Sequence, residues 1–266
     1  MTTQKNGKLA LITGASSGIG YELARVFAQD GFDLIIAAED RGIVEMKQVF
    51  ENLGAAVTAV QADLATREGV EKLWQEVQRC GRTLDAAALN AGIGVGGRFQ
   101  ETDLEKELKL VDLNCRSVVH LAKRVVQAMV AQGSGRILIT SSIASTMPGP
   151  FEAVYAASKA FDQSFAQALR HELKDTGVTV TSLMPGPTET NFFERADLMD
   201  TKVGAAEKDD AGQVARQGFE ALMAGKDHVV AGALKNKLQA AAAKVIPETV
   251  KAAIHRSKAE PGSAKK

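Results

Sequence analysis

Short apolar segments alternate with longer segments of helical periodicity along most of this chain of 266 residues. The seven apolar segments have the length of strands, and they are residues 9–13, 34–38, 56–61, 84–89, 136–140, 178–184 and 228–231. Several are apolar throughout, which is typical of strands covered on both faces. Between them, apolar residues recur every three or four positions, as on one face of a helix. The alternation predicts an α/β fold with a doubly wound, mostly parallel, seven-stranded sheet.

The composition of the chain changes after Gly232, which suggests that the main domain ends there. We expect residues 1–233 to form a single domain, because no repeat or low-complexity linker interrupts them. A run of alanines and a second helical pattern beginning at Pro247 predict a helical C-terminal extension over residues 234–256. Residues 257–266 combine Pro, Gly, Ser and charged side chains, which favours a disordered tail.

The charge balance limits the classes of partner. The 32 basic and 32 acidic residues cancel, which disfavours a generally basic nucleic-acid-binding protein. Eight basic and two acidic residues follow position 233, so the extension carries about +6 and the body about −6. We expect the extension to dock on its own body or on a sister subunit. Contact with an anionic membrane or an acidic protein is the less favoured alternative.

Other compositional features point to a reduced, intracellular setting. Only Cys80 and Cys115 are present, so disulfide bonds are not the basis of stability. No apolar run approaches the ~18–20 residues needed to cross a bilayer, and no signal-peptide core opens the chain. We therefore expect a cytoplasmic protein. The four histidines show no metal-ligand spacing, so no metal site is expected.

A glycine-rich segment joins the first predicted strand to the first predicted helix. Gly14, Gly18 and Gly20 suit a junction where the chain turns tightly, approaches a phosphate closely and packs its helix near the strand. The exposed N–H groups of a helix N-terminus favour phosphate oxygens. Because the pattern lies directly after the first strand, it predicts a phosphate-binding loop with Ser16, Ser17 and Ile19 among its contacts.

The spacing Thr-Gly-x-x-x-Gly-x-Gly resembles the opening motif of the classical short-chain dehydrogenase/reductase family. Further motifs of that family match in order between residue 8 and about residue 232: Asp63-Leu64, Asn90-Ala91-Gly92, Asn114, and Pro185-Gly186 with Thr190. Leu89 stands where the family has the first Asn of Asn-Asn-Ala-Gly. The resemblance implies a Rossmann fold, an NAD(P) cofactor and a small carbonyl or alcohol substrate.

A Ser–Tyr–Lys set suggests the chemistry. Tyr155 and Lys159 lie four residues apart, hence on one helical face, and Ser142 ends a predicted strand. Carbonyl reduction needs a proton donor on the oxygen, and alcohol oxidation needs the same group as a base. A nearby ammonium favours the phenolate and lowers a tyrosine pKa. In the family resemblance, Ser142, Tyr155 and Lys159 are the catalytic triad, and Asn114 holds a water that supplies protons to Lys159.

The resemblance also implies a set of cofactor-binding residues spread over the sheet's carboxyl edge. Asp63 and Leu64 would contact the adenine, and Thr190 would hold the nicotinamide amide. The full expected set is Gly14, Ser16, Ser17, Gly18, Ile19, Gly20, Glu39, Asp63, Leu64, Asn90, Ala91, Gly92, Tyr155, Lys159, Pro185, Gly186, Thr188 and Thr190.

The end of the second strand bears on cofactor choice. An acidic residue there accepts from the adenosine ribose hydroxyls, whereas a basic residue accommodates a 2′-phosphate. Ala38 and Glu39 occupy the two diagnostic positions, and a carboxylate would repel the 2′-phosphate. The sequence therefore favours NAD over NADP. Arg41 keeps NADP open, because its side chain can swing toward a phosphate.

The loops that follow the later strands are rich in apolar residues and predict an apolar substrate pocket. They carry Ile93, Val95, Ile143, Met147, Pro148, Phe151, Phe192, Phe193 and Met199. Residues 187–205 resemble the family's substrate lid. The resemblance further implies a homodimer or homotetramer through helices at 104–130 and 154–174. A non-catalytic dinucleotide sensor or scaffold is the alternative function, although such a protein need not keep the Ser–Tyr–Lys set.

Overall fold

The computed structural model describes residues 7–243 and 245–265, and it contains one seven-stranded sheet. Its strands are β1 (Leu9–Thr13), β2 (Asp33–Ala38), β3 (Val57–Gln61), β4 (Ala86–Leu89), β5 (Gly135–Thr140), β6 (Val178–Pro185) and β7 (His228–Ala231). They lie in the order β3-β2-β1-β4-β5-β6-β7, and every neighbouring pair is parallel. The predicted doubly wound Rossmann fold is confirmed.

Helices connect the strands and follow the last one. They are α1 (Gly18–Gln29), α2 (Gly42–Glu51), α3 (Arg67–Arg79), α4 (Leu104–Val111), α5 (Ser117–Gln132), α6 (Ala153–Glu172), α7 (Phe192–Arg195), α8 (Lys202–Ala205), α9 (Ala211–Met223), α10 (Leu234–Ala242) and α11 (Glu248–Ala259). A π-helical segment, Asp112–Arg116, joins α4 to α5, and short 3-10 turns cover Ile143–Thr146 and Ser263–Lys265. The helix expected over 104–130 is thus interrupted at Asn114.

Two apolar cores sandwich the sheet, which explains why its strands are apolar on both faces. Leu11 and Ile12 are adjacent in β1 and fully buried, yet they belong to opposite cores, because successive strand side chains alternate between faces. Helices α1, α2 and α9 cover the core that contains Ile12, and α3, α5 and α6 cover the other. This packing aligns the carboxyl ends of all seven strands at one edge.

The C-terminal extension docks on the body of the same chain. Its last helix, α11, continues to Ala259, and the residues that follow do not form the disordered tail expected from their composition. The reason is local hydrogen bonding: Gly262 N–H donates to the Asp200 carboxylate over 2.9 Å, and the Ser263 hydroxyl accepts from Lys202 N–H over 2.9 Å. These bonds tie residues 262–263 to the segment around α8. Lys266 lies outside the described residues.

No helix in the part of the chain that the structure describes is long and apolar enough to cross a membrane.

Candidate active site

A cleft of about 520 Å³ opens at the carboxyl ends of the strands. Its walls are the loops that follow β1 to β6, together with residues of the C-terminal extension. β1 and β4 lie side by side at its centre, where the strand order changes direction. Open α/β sheets bind ligands at this position, because the loops on either side of it turn to opposite faces and leave a crevice.

The glycine loop after β1 forms one end of the cleft. Gly14 and Gly18 have φ values of +69° and +57°, which favour glycine over any residue with a side chain. A Cβ at Gly20 would overlap the carbonyl oxygen of Gly14, so the turn closes only with glycine there. Ser17 is the N-cap residue of α1, but its side chain makes no capping hydrogen bond. Together with Ser16 and Ile19, these residues line the cleft. The first turn of α1 therefore borders the cleft, and the free N–H groups of a helix N-terminus can bind a phosphate.

The end of the cleft next to β2 and β3 is acidic, with one lysine placed among its carboxylates. Glu39, Asp63 and Leu64 line the cleft as expected. Lys109 reaches them from α4, with its Nζ 2.8 Å from Glu39 Oε1 and 4.0 Å from Asp63 Oδ2. The hydrogen bond to Glu39 raises the pKa of Lys109. Sequence reasoning missed this lysine, because no short-range signal relates it to a glutamate in a different βα unit.

Asp40 is a further acidic residue at this end, and sequence reasoning assigned it no role. Its carboxylate accepts a hydrogen bond from the Ser16 hydroxyl over 2.6 Å. The bond links the loop after β2 to the glycine loop and brings a further negative charge to the cleft wall.

Asn90, Ala91 and Gly92 continue β4 into the middle of the cleft. The Asn90 amide donates to Thr13 O over 3.2 Å and accepts from the Thr140 hydroxyl over 3.1 Å. The side chain therefore cross-links the ends of β1, β4 and β5. A Cβ at Gly92 would lie 3.4 Å from Lys159 Nζ, so glycine leaves room for a ligand beside that lysine.

The loop after β6 carries Pro185, Gly186, Thr188 and Thr190, and all four line the cleft. The Thr190 side chain faces the glycine loop, since a Cβ at Gly18 would lie 2.9 Å from its methyl carbon. This loop and the glycine loop therefore approach one another across the cleft, although the sequence separates them widely.

The C-terminal extension packs beneath the loop that follows β6. Asn236 of α10 is buried beneath Gly186, and its amide donates to Asp209 Oδ2 over 2.6 Å and to Ala231 O over 3.1 Å. A Cβ at Gly186 would overlap that amide. Sequence reasoning did not assign a role to Asn236.

Ser142, Tyr155 and Lys159 line the cleft close to its centre. Ser142 follows β5 in extended backbone, and Tyr155 lies in the first turn of α6, with its ring 5.1 Å from that of Phe192. The Lys159 ammonium is buried and donates to Thr140 O over 2.9 Å and to Asp162 Oδ2 over 3.0 Å. The helical spacing and the strand end together bring the three predicted side chains to one place.

Asn114 is fully buried in the π-helical segment, behind Gly92 and Lys159. Its Oδ1 accepts from Ile93 N–H over 3.0 Å, and its Nδ2 donates to Ile93 O over 2.9 Å and to the Ser158 hydroxyl over 3.0 Å. These bonds hold the backbone after β4 in place. The inward-facing amide lies in the wider turn of the π-helix, and such π-helical turns are frequent at functional sites.

The electrostatics around Tyr155 differ from the expected ones. Burial raises the pKa of Tyr155, and the neighbouring Ser142 hydroxyl acts in the opposite direction. The negative charges of Glu152 and Asp162 add to the increase. Burial also raises the pKa of Asp162, while Lys159 lowers it. Asp162 is the counter-ion of Lys159 and therefore offsets part of the effect that this lysine is expected to have on the tyrosine pKa.

The remaining wall of the cleft is mostly apolar and belongs to the loops after β4, β5 and β6. Ile93, Ile143, Met147, Phe192 and Phe193 line it as predicted. The other predicted pocket residues, Val95, Pro148, Phe151 and Met199, are not among its lining residues. Residues that sequence reasoning missed are Glu152, Arg195, Val203, Gln239, His255, Lys258 and Ala259.

Metal ligands do not cluster in the described ranges, 7–243 and 245–265. They contain no group of three or more His, Cys, Asp or Glu side chains arranged to hold a metal ion. Cys80 and Cys115 are both free thiols.

Comparison with known proteins identifies the family. Residues 8–200 match the family model described as short chain dehydrogenase. An uncharacterized oxidoreductase of Staphylococcus saprophyticus is 31% identical over 217 residues, which cover 81% of this chain and 91% of that protein. Sulfoacetaldehyde reductase 2 of Chromohalobacter salexigens is 33% identical over 187 residues, 69% of this chain and 74% of that protein.

The structural comparison agrees. A short-chain dehydrogenase from Sphingobium yanoikuyae in complex with NADPH superposes with a TM-score of 0.78 at 28% identity, over 84% of this chain and 87% of that chain. The strand order, the glycine loop and these matches lead to one conclusion: the chain belongs to the short-chain dehydrogenase/reductase family and is a dehydrogenase/reductase enzyme.

Proposed function

We propose that this enzyme transfers a hydride between a nicotinamide cofactor and a carbonyl or secondary alcohol, with Tyr155 as the general acid and base. One observation carries the proposal. Ser142, Tyr155 and Lys159 share a single cleft with the glycine loop, which can hold a pyrophosphate. The residues present suit a cofactor, because a Cβ at Gly14 or Gly18 in that loop, or at Gly92 after β4, would meet other atoms at 2.9–3.2 Å and leave less room for it.

The roles follow from the positions of the side chains. When bound, the nicotinamide would supply or accept the hydride. Tyr155 would give its proton to the substrate oxygen in reduction and take it back in oxidation. Ser142 would donate a hydrogen bond to the same oxygen and hold it near the phenol. Lys159 would stabilise the phenolate, and Asn114 would hold a water on the route by which protons reach Lys159.

The acidic end of the cleft favours NAD over NADP. Glu39 lines the cleft directly after β2, and from there its carboxylate would accept hydrogen bonds from the adenosine ribose hydroxyls. Glu39, Asp40 and Asp63 together would repel a 2′-phosphate. Lys109 partly neutralises the negative charge of these carboxylates, so we expect a moderate and not an absolute preference for NAD over NADP.

The apolar wall of the cleft favours a largely apolar carbonyl compound as substrate. Sulfoacetaldehyde reductase 2, one of the relatives, is named for the reduction of a carbonyl compound, which supports the reaction class.

We also infer a homodimer or homotetramer. Leu104, Leu108 and Val111 are exposed on α4, as are Val119 on α5 and Phe161 on α6. A second subunit would bury these side chains. Light scattering on the purified protein measures the oligomeric state, and a monomer would contradict this part of the proposal.

The function is tested by following NADH and NADPH oxidation over a panel of apolar ketones and aldehydes, for the wild type and Tyr155→Phe. We expect turnover by the wild type and a loss of about 10²–10⁴-fold in the variant, with NADH affinity within about threefold, because the phenol oxygen contributes little to ground-state binding. Turnover retained by Tyr155→Phe would contradict the mechanism. NADH binding without turnover of any carbonyl would favour the sensor or scaffold.

A further inference from the structure

A carboxyl group and an imidazole from distant parts of the chain meet at the substrate end of the cleft. Glu152 precedes α6 by one residue and lies three positions before Tyr155, and His255 comes from α11 in the C-terminal extension. Their side chains are only 8% and 12% exposed, and His255 Nε2 lies 3.4 Å from Glu152 Oε2. Both line the cleft, whose wall there is otherwise mostly apolar.

The residue before Glu152 has an unfavourable backbone conformation. Phe151 has a φ of +67°, in the left-handed region that non-glycine residues rarely adopt. Arg98 and Arg256 lie over its ring, with guanidinium carbons 5.8 and 5.6 Å from the centroid. Strain of this kind persists only where the surroundings enforce it, and it concentrates at functional sites.

The extension supports the same loop through two further bonds. Lys251 Nζ donates to Thr146 O over 3.3 Å, and His255 Nδ1 lies 3.2 Å from Pro150 O. The helix α11 is therefore fastened to the loop between β5 and α6, and it places the imidazole at a defined position in the cleft.

Proton counting defines what the pair can bind. The Pro150 carbonyl only accepts hydrogen bonds, so Nδ1 of His255 carries a proton. Burial raises the pKa of Glu152 to about 7 and lowers that of His255, so both shifts favour the state in which the carboxyl group and the imidazole are neutral. In that state the carboxyl O–H donates and Nε2 accepts, so the pair offers a donor and an acceptor.

The pair is also available to a ligand. Within the described residues 7–243 and 245–265, the contact with His255 Nε2 at 3.4 Å is the one polar side-chain contact of the Glu152 carboxyl group, and burial raises its pKa. The basic residues of the lining are Lys159, Arg195 and Lys258, of which Lys159 is paired with Asp162. A neutral polar pair in an apolar wall would bind best to a neutral ligand group that makes hydrogen bonds with both partners.

We propose that Glu152 and His255 form a subsite for a hydroxyl group of the substrate, so that the preferred substrates are largely apolar carbonyl compounds that carry a hydroxyl away from the reacting carbon. A hydroxyl both donates and accepts, which matches the pair, whereas a carbonyl, an ammonium or a carboxylate satisfies one partner at most. The inference rests on the proposed function, since it names the substrate class of that same site.

The test compares matched ketones that differ only by one hydroxyl, placed at increasing distances from the carbonyl on aromatic and alicyclic frames. The measured quantity is the ratio of kcat/KM for the hydroxylated ketone to that for the plain one. For at least one placement we expect the wild type to favour the hydroxylated ketone by about tenfold or more. Glu152→Leu and His255→Leu should each bring that ratio close to one, and the double variant should lower it no further, because either change disables the pair.

The controls distinguish a failure of the hydroxyl subsite from a failure of the proposed function. His171→Leu removes an exposed histidine at the other end of α6 and should keep the wild-type ratio. A wild-type ratio near one for every placement would overturn the subsite even if the plain ketones turn over normally, and this measurement needs no variant to fold. A ratio that persists in both single variants would overturn it as well. Failure of the proposed function looks different: no carbonyl is reduced by the wild type at all.

Discussion

Lys159 donates to Asp162 over 3.0 Å inside the protein, and the Asp162 side chain is 1% exposed. The second carboxylate oxygen, Oδ1, has no partner within the described residues. A buried lysine with its own counter-ion stabilises the phenolate of Tyr155 less than an unpaired lysine would. In the proposed reaction, Asp162 therefore acts on Tyr155 through Lys159, as a positioning residue.

Replacing Asp162 by Asn should make Tyr155 more acidic, because the carboxylate raises its pKa. Oxidation of an alcohol requires the phenolate, so the pH of half-maximal kcat/KM for oxidation should fall by about one unit. The free energy of unfolding should drop by about 3 kcal/mol, since a buried charge loses its partner. Asp175→Asn, at an exposed site after α6, is the matched control. An unchanged pH profile in Asp162→Asn would argue against the coupling.

Replacing Glu39 by Gln should weaken the preference for NADH. The change removes a charge that repels the 2′-phosphate, and about 1 kcal/mol at this exposed site corresponds to roughly a fivefold shift in the ratio of the two Kd values. Lys109→Gln should shift the ratio the other way, because it removes the cation that neutralises Glu39. Lys106→Gln, on the same helix but paired with Asp197, is the control. Wild-type binding of NADPH tenfold tighter than NADH would contradict the NAD assignment.

Replacing Glu152 by Gln should change how stability depends on pH. Burial raises the pKa of Glu152 from 4.5 to about 7, so between these values the folded protein binds a proton that the unfolded chain releases. The stability of the wild type should therefore fall as pH rises from about 4.5 to 7 and level off above. Glutamine does not titrate, so the variant should gain up to about 3 kcal/mol relative to the wild type across this window.

Denaturant unfolding at several pH values between 5 and 8 measures this difference. Glu172→Gln, at an exposed site at the end of α6, should show no such trend. A constant offset between Glu152→Gln and the wild type would mean that Glu152 is ionised throughout.

Replacing Gly20 by Ala should disrupt the glycine loop. The new methyl group would overlap the carbonyl oxygen of Gly14, which is backbone and cannot move aside. We expect a loss of about 1–3 kcal/mol in unfolding free energy and at least tenfold weaker NADH binding, measured by thermal melting and fluorescence titration. Gly212→Ala is the control, because its methyl group would approach only side-chain ends at 3.1–3.2 Å. Wild-type affinity in Gly20→Ala would show that the loop does not hold the cofactor.

The sequence alone determined the features that depend on short-range order. Alternating apolar periodicity predicted the sheet, because strands buried on both faces must be apolar throughout. The spacing of Gly14, Gly18 and Gly20 predicted a tight junction, and four-residue spacing placed Tyr155 and Lys159 on one helix face. These inferences needed only bond geometry and the repeat lengths of helix and strand.

The tertiary structure decided which distant groups meet and which charges lose their water. Lys109 with Glu39, and His255 with Glu152, are pairs that form only when helices pack against the strand ends. Asp162 was visible three residues after Lys159, but its burial, and hence its effect on that lysine, depends on the whole core around α6. Ionisation is set by solvation and by neighbours in space, and neither can be read from the order of residues along the chain.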